Sequence, residues 1–82
     1  MTELSLCMIV KNEEERLARC LSSVQGAVDE IIILDTGSTD GTKDVASRFT
    51  QRVYDYAWDD DFSAARNASF AYATRPFILW LD

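Results

Sequence analysis

The stretch LDTGSTDGTKD, residues 34 to 44, sets carboxylates, hydroxyls and glycines directly behind the apolar run Ile31-Ile32-Ile33. Such a set can serve a phosphate, a metal, a sugar nucleotide, or nothing more than a turn. Gly37 and Gly41 allow unusual backbone angles, Asp35 points out from the end of a strand, and Asp35 or Thr36 can hydrogen-bond a base or ribose. Backbone N–H groups at the start of the following helix can meet negative charge. Open parallel sheets bind ligands beyond the carboxyl ends of their strands, and here those ends carry residues 11 to 15, 35 to 39, 55 to 61 and Asp82. An Asp-bearing rim repels a bare phosphate unless a divalent cation bridges them, and hard oxygen ligands suit Mg²⁺ or Mn²⁺. Asp, Ser and Thr are also preferred helix caps, so composition leaves the ligand site and the capped turn equally open.

Spacing removes several alternatives. A P-loop needs Gly-x-x-x-x-Gly-Lys-Ser/Thr, whereas Gly37 is followed by Gly41-Thr42-Lys43, one residue short and with Thr in place of Lys. A dinucleotide fingerprint needs glycines after the first strand, and VKNEEER has none. A calcium loop needs an acid or Asn where Thr36 and Ser38 stand, and an aspartyl-nucleophile phosphatase needs Asp at position 38.

The elements that must position these residues follow from hydrophobic periodicity. Residues 4 to 10 read as a buried strand, and Asn12 with Glu15 three positions later has the spacing of a capping box opening a helix. Leu17, Cys20, Leu21 and Val24 give that helix one apolar stripe, and Gly26 marks its stop. Residues 30 to 34 form the second strand, and Val45, Ala46 and Phe49 recur at helical spacing behind the opening motif. A third strand is expected over 52 to 56, a third helix through FSAARNASFAYA, and a fourth strand over FILWL after Arg75-Pro76. Alternating strands and helices predict a Rossmann-like three-layer α/β/α unit with a parallel sheet of about four strands. An all-apolar strand is normally flanked and covered on both faces, so FILWL suggests that more sheet follows and that the chain is cut short. That strand, residues 77 to 81, is expected to drive self-association.

Composition sets limits. The 82 residues are 48% hydrophobic, enough for the modest core of one small domain. A formal net charge of −6 opposes nucleic acid as a partner. The chain has no His, which removes Ser-His and Cys-His catalytic pairs. Cys7 and Cys20 read as packed thiols rather than a disulfide or metal-ligand set. No secretion signal or membrane-length apolar run is present, so a cytoplasmic location is expected, with membrane association of a longer protein left open.

Three segments in order, MIVKNEEERLARCLSSV, DEIIILDTGSTDGT and FSAARNASFAYATRPFILWLD, resemble the inverting glycosyltransferases of family 2, which have the nucleotide-diphospho-sugar (GT-A) fold. The resemblance covers essentially residues 1 to 82 and implies the N-terminal, donor-nucleotide part of such an enzyme. It implies a nucleotide-diphospho-sugar donor, an unspecified saccharide, lipid or polypeptide acceptor, and Mg²⁺ or Mn²⁺. Val10, Asn12 and Glu13 would border the nucleoside, with Asp35, Thr36, Gly37 and Ser38 against base and ribose. Many members have a second acid where Thr36 stands, so the base contact here is either altered or rests on Asp35 and backbone groups. Arg66 and Asn67 look like the family's Ala-Arg-Asn segment near the donor, and Asp82 like the first residue of its Asp-x-Asp metal motif. The remainder of that motif, the acceptor region and the general base lie further along in the family, which makes this chain catalytically incomplete by itself. The variants CMIVKNEEE and LDTGSTDGT look closest to bacterial members, some of which modify proteins or peptides or carry helical repeats.

Each residue also has a plainer reading. Asp35 can cap the second helix, and Arg66 can pair with Asp59-Asp60-Asp61, although the motif favours donor contact for Asp35 and a diphosphate or base-side role for Arg66. Tyr54, Tyr56 and Trp58 alternate, which admits a stacking platform but favours core or edge packing. Asp59 to Asp61 are expected to form a solvated loop with a helix cap. Two other functions remain in view: a nucleotidyltransferase of similar architecture, and a non-enzymatic interaction module that keeps the fold.

Overall fold

The computed structural model describes residues 3 to 81. The elements run β1 (Leu4–Val10), α1 (Glu14–Val24), β2 (Glu30–Asp35), α2 (Thr42–Ser47), β3 (Val53–Asp55), α3 (Phe62–Ala71) and β4 (Phe77–Leu81). The four strands form one sheet in the order β3-β2-β1-β4, and every pairing is parallel. This is the α/β architecture that the alternating pattern predicts.

Strand alternation divides the core between two faces. Leu6, Met8 and Val10 of β1 lie beside Ile31 and Ile33 of β2, and Leu17 and Leu21 of α1 with Val45 and Ala46 of α2 close over them. On the opposite face Cys7 is paired with Ile32 and is met by α3, where the Cys7 thiol donates to the Ser69 carbonyl at 3.6 Å. Ala65 and Ser69, four residues apart and fully buried, give α3 a narrow face that lets its backbone approach the sheet. Burial pushes the Cys7 thiol up to about 11, so at neutral pH it remains a protonated packing group.

Several boundaries differ from expectation. Asn12 does not open α1 through a capping box: it lies outside the helix in the left-handed region at φ 52°, and Glu13 in the cap position makes no side-chain cap. Gly26 is not a left-handed stop either, since α1 ends at Val24 with Gln25 as its cap in right-handed geometry. Phe49 falls beyond α2 but still packs against the core. β3 is shorter than the expected 52 to 56 because its pairing with β2 stops at Asp35↔Asp55, where β2 itself ends. Trp58 is therefore off the strand. β4 occupies the edge of the described sheet, with Phe77 67%, Ile78 40% and Leu79 38% exposed.

The N-terminal rim of the sheet is fastened by one carboxylate. Glu30 accepts the Ser5 hydroxyl at 2.7 Å, the Thr74 N–H and hydroxyl at 2.7 Å each, and Arg52 at 3.0 Å. Burial alone would raise the Glu30 pKa, but these donors and the guanidinium charge outweigh it and hold the carboxyl down to about 2. Glu30 thus ties β1, β2, the segment before β3 and the turn before β4 into one frame.

Candidate functional site

At the C-terminal rim the loops after β1 and β2 are joined through their side chains. Asp35 is only 2% exposed. Its Oδ2 accepts the Gly37 and Ser38 N–H groups at 3.1 and 2.9 Å, and its Oδ1 accepts the Ser38 hydroxyl at 2.6 Å. The carboxylate therefore shapes the turn from within rather than capping α2. Gly37 sits at φ 106°, a conformation that a side chain strains. The Ser38 hydroxyl in turn accepts the Asn12 N–H at 2.9 Å, and the Asn12 side-chain oxygen accepts the Thr39 N–H at 2.8 Å. Asn12 leaves the capping box because its oxygen is engaged by the second loop.

The helix starts are treated reciprocally. Thr42 Oγ1 accepts the Glu13 N–H at 2.8 Å and Asp40 accepts the Glu14 N–H at 3.3 Å, so α2's loop caps α1. Glu14 in return accepts the Gly41 N–H at 3.0 Å, and Asp40 accepts the N–H and the hydroxyl of Thr42. The Thr42 hydroxyl foremost holds the Asp40 carboxyl below its ordinary range. At the start of the second helix, where the sequence suggests that N–H groups can meet an anion, those of Gly41 and Thr42 are thus engaged by Glu14 and Asp40. Gly41 has an ordinary φ of −84°, and its reason is space: a Cβ there would stand 2.6 Å from Glu14 Oε2.

The other rim acids are also engaged. Asp55 pairs with Lys43 at 2.8 Å. Asp61 caps α3 by accepting the Ala64 N–H at 2.9 Å, Asp59 accepts the Asp61 N–H at 3.1 Å, and Asp60 accepts the Trp58 indole N–H at 3.1 Å. Among the described residues no group of three or more His, Cys, Asp or Glu can hold a metal ion. The metal assignment made for Asp82 lies outside the described residues.

Above this clamp lies a cleft of about 320 Å³ lined by Ile9, Val10, Lys11, Glu13, Thr36, Trp58 and Phe62. Thr36 closes its floor, with both its N–H and its hydroxyl on the Val10 carbonyl at 3.0 and 3.2 Å. Of the residues singled out in the sequence, Val10, Glu13 and Thr36 line the cleft, whereas Asn12, Asp35, Gly37 and Ser38 form the hydrogen-bonded support beside it. Arg66 and Asn67 are not brought to its lining. Arg66 makes no ion pair with Asp59 to Asp61 among the described residues, and its guanidinium lies 5.3 Å from the Trp80 ring centroid. Asn67 is exposed on α3. Sequence reasoning passed over Phe62, and it gave Trp58 to packing because alternation continued past the true end of β3.

A second cleft, of about 240 Å³, shares Ile9, Val10 and Glu13 but opens between β1 and α1 over Met8, Leu17 and Cys20. It has no aromatic side chain in its lining, so the cleft with Trp58 and Phe62 is the better site for a planar ligand. Apolar Ile9 and Val10, the Trp58 and Phe62 rings set at 73° to each other, and polar Thr36, Glu13 and Lys11 together suit a planar heterocycle with hydrogen-bonding edges.

Comparison with known proteins shows the family and agrees with the fold. The model of "Glycosyl transferase family 2" matches residues 5–82. A TPR repeat-containing protein of Synechococcus elongatus is 52% identical over 82 residues, which is 100% of this chain and 20% of that protein. The SPbeta prophage-derived glycosyltransferase SunS of Bacillus subtilis is 43% identical over 77 residues, covering 92% of this chain and 18% of that one. The crystal structure of glucosyl-3-phosphoglycerate synthase from Mycobacterium tuberculosis, in complex with Mg²⁺ and UDP, superposes with a TM-score of 0.81 at 26% identity, over 96% of this chain and 32% of that chain. The chain thus spans about a fifth of the length of the curated relatives it matches.

Proposed function

Since the chain belongs to glycosyl transferase family 2, we propose that residues 1 to 82 form the donor-nucleotide part of a glycosyltransferase. That enzyme transfers a sugar from a nucleoside-diphospho-sugar, with inversion, to a saccharide, lipid or polypeptide acceptor. The observation that carries the reading is the cleft across the C-terminal ends of β1 and β2, which is where an open parallel sheet takes its ligand. A solved relative holding UDP supports it.

In this reading Val10, Asn12 and Glu13 border the nucleoside. Thr36 and the turn shaped by Asp35, Gly37 and Ser38 meet base and ribose. The buried Asp35 carboxylate acts chiefly by fixing backbone positions, since its hydrogen bonds go to its own turn. Arg66 and Asn67 on α3 are assigned to the diphosphate side, where Arg66 exchanges its place over Trp80 for the ligand's charge. The described residues do not by themselves make a metal centre, so the proposed Mg²⁺ or Mn²⁺ rests on Asp82. What this chain contributes is binding and orientation of the leaving nucleotide.

Calorimetric titration of the chain with UDP, GDP and CDP, each with Mg²⁺, tests the reading. Saturable binding that ranks the bases and weakens in Thr36→Val is expected. No heat and no thermal stabilisation with all three contradicts it. Self-association through residues 77 to 81 is a separate proposal supported by their exposure, and sedimentation as a monomer at high concentration would sink it.

A further inference from the structure

On the premise that the cleft is the donor-nucleotide site, we propose that Trp58 is the surface on which the nucleotide base stacks and that Asp60 is the residue positioning its indole. Trp58 stands in the loop between β3 and α3, lines the cleft with Val10 and Thr36, and keeps 42% of its surface exposed. A large aromatic left this open at a concave, partly apolar site is available to a planar ligand. Phe62, 41% exposed, also lines the cleft but is engaged edge-to-face with both Trp58 and Trp80, and the exposed Phe77 on β4 is not part of the lining. Tyr54 is stacked on Tyr72 with centroids 3.8 Å apart, and Trp80 is met by Phe62 at 5.5 Å and by the Arg66 guanidinium.

The indole is held at two points. Phe62 meets it in a T-shaped arrangement at 6.3 Å and 73°, and the indole N–H donates to Asp60 Oδ1 at 3.1 Å. Asp60 reaches that N–H from φ 62°, a left-handed backbone conformation unusual for a residue with a side chain. Asp60 thereby ties up the indole's polar handle, so that what the exposed part of the indole offers a ligand is aromatic ring surface. Because every base has a π-face, stacking is tolerant of base identity. Trp58 therefore supplies affinity for all nucleotides alike, and base choice rests on the polar edge at Thr36 and Glu13.

The test follows the two indole N–H resonances, Trp58 and Trp80, together with the amides of Val10 and Thr36, as UDP with Mg²⁺ is added to the chain; GDP and CDP follow. The Trp58 indole is expected to move with the amides. Trp58→Ala is expected to weaken all three nucleotides by about tenfold, and Trp58→Phe by far less. Amide shifts without indole movement, with unchanged affinity in Trp58→Ala, would overturn the stacking role and leave the donor reading intact. No shift anywhere would overturn the donor reading for this chain and this inference with it. For Asp60, the Ala variant is expected to lose affinity and the Asn variant to recover it, since an amide oxygen still accepts the indole N–H. Asp60→Gly relieves the left-handed residue, so its melting temperature should hold or rise while its affinity falls. Affinity that instead follows melting temperature across the three variants would refute positioning by Asp60.

Discussion

The two rims of the sheet are built from the same materials and used differently. At the N-terminal rim a single carboxylate, Glu30, gathers donors from Ser5, Arg52 and Thr74, segments far apart in the chain, and little of it faces solvent. At the C-terminal rim Asp35, Asp40 and Glu14 instead accept backbone N–H groups of the two adjacent loops, beside a cleft with aromatic side chains in its lining. The contrast teaches that acidic residues at a sheet's end do not announce a cation or a catalytic acid. What separates the rims is the lining of their concave surface: the cleft beside Glu30, about 330 Å³, holds the Arg52–Glu30 ion pair, whereas the one at the C-terminal rim presents Trp58 and Phe62 beside Val10 and Thr36.

The comparison breaks first at Glu30. Its replacement by Ala leaves Arg52 and the Thr74 donors without their common partner, and a loss of roughly 3 kcal/mol is expected in urea unfolding, with nucleotide affinity per folded molecule unchanged. Loss of affinity without loss of stability would reverse the roles assigned to the rims. A related test uses pH. Because the folded Glu30 carboxyl is depressed to about 2 from an ordinary 4.5, the stability it contributes is fully present above 4.5. It is lost as pH falls toward 2, by an amount on the order of 2 kcal/mol. Glu30→Gln should flatten that part of an acid unfolding profile.

At the other rim, Asp35→Ala orphans the Gly37 and Ser38 N–H groups and should cost about 1–2 kcal/mol. Unlike the Glu30 change, it should also weaken nucleotide binding by about tenfold, a loss of roughly 1.4 kcal/mol, in the same calorimetric titration. A smaller effect is expected at Gly41, where Ala forces the Glu14 carboxylate aside. Hydrogen exchange should then quicken at Gly41 and Asn12 while Ser5 and Thr74 stay protected. The smallest is at the exposed Lys43–Asp55 pair: Lys43→Ala should leave both unfolding midpoint and affinity unchanged.

Much of the frame was legible because it depends on short-range pattern. The run Leu4 to Val10 and the stripe Leu17, Leu21, Val24 declare a buried strand and a one-sided helix, and both occur where expected. The Gly-bearing turn after Asp35 was legible for the same reason. What was hidden depends on partners remote in the chain. Asn12 looks like a helix cap until Thr39, 27 residues on, takes its oxygen. Glu30 looks like an ordinary strand-edge acid until Ser5, Arg52 and Thr74 converge on it. Trp58 looks like the next alternate residue of a strand, because nothing in residues 52 to 58 reveals that Asp55 is the one set opposite the last residue of β2.

A residue-by-residue map of backbone amide shifts on adding UDP and Mg²⁺ tests the division between rims most directly. The account predicts movement at Val10, Asn12 and residues 36 to 39, with Ser5, Glu30 and Thr74 still. Shifts centred on Glu30 and Thr74, or spread evenly over both ends of the sheet, would contradict it.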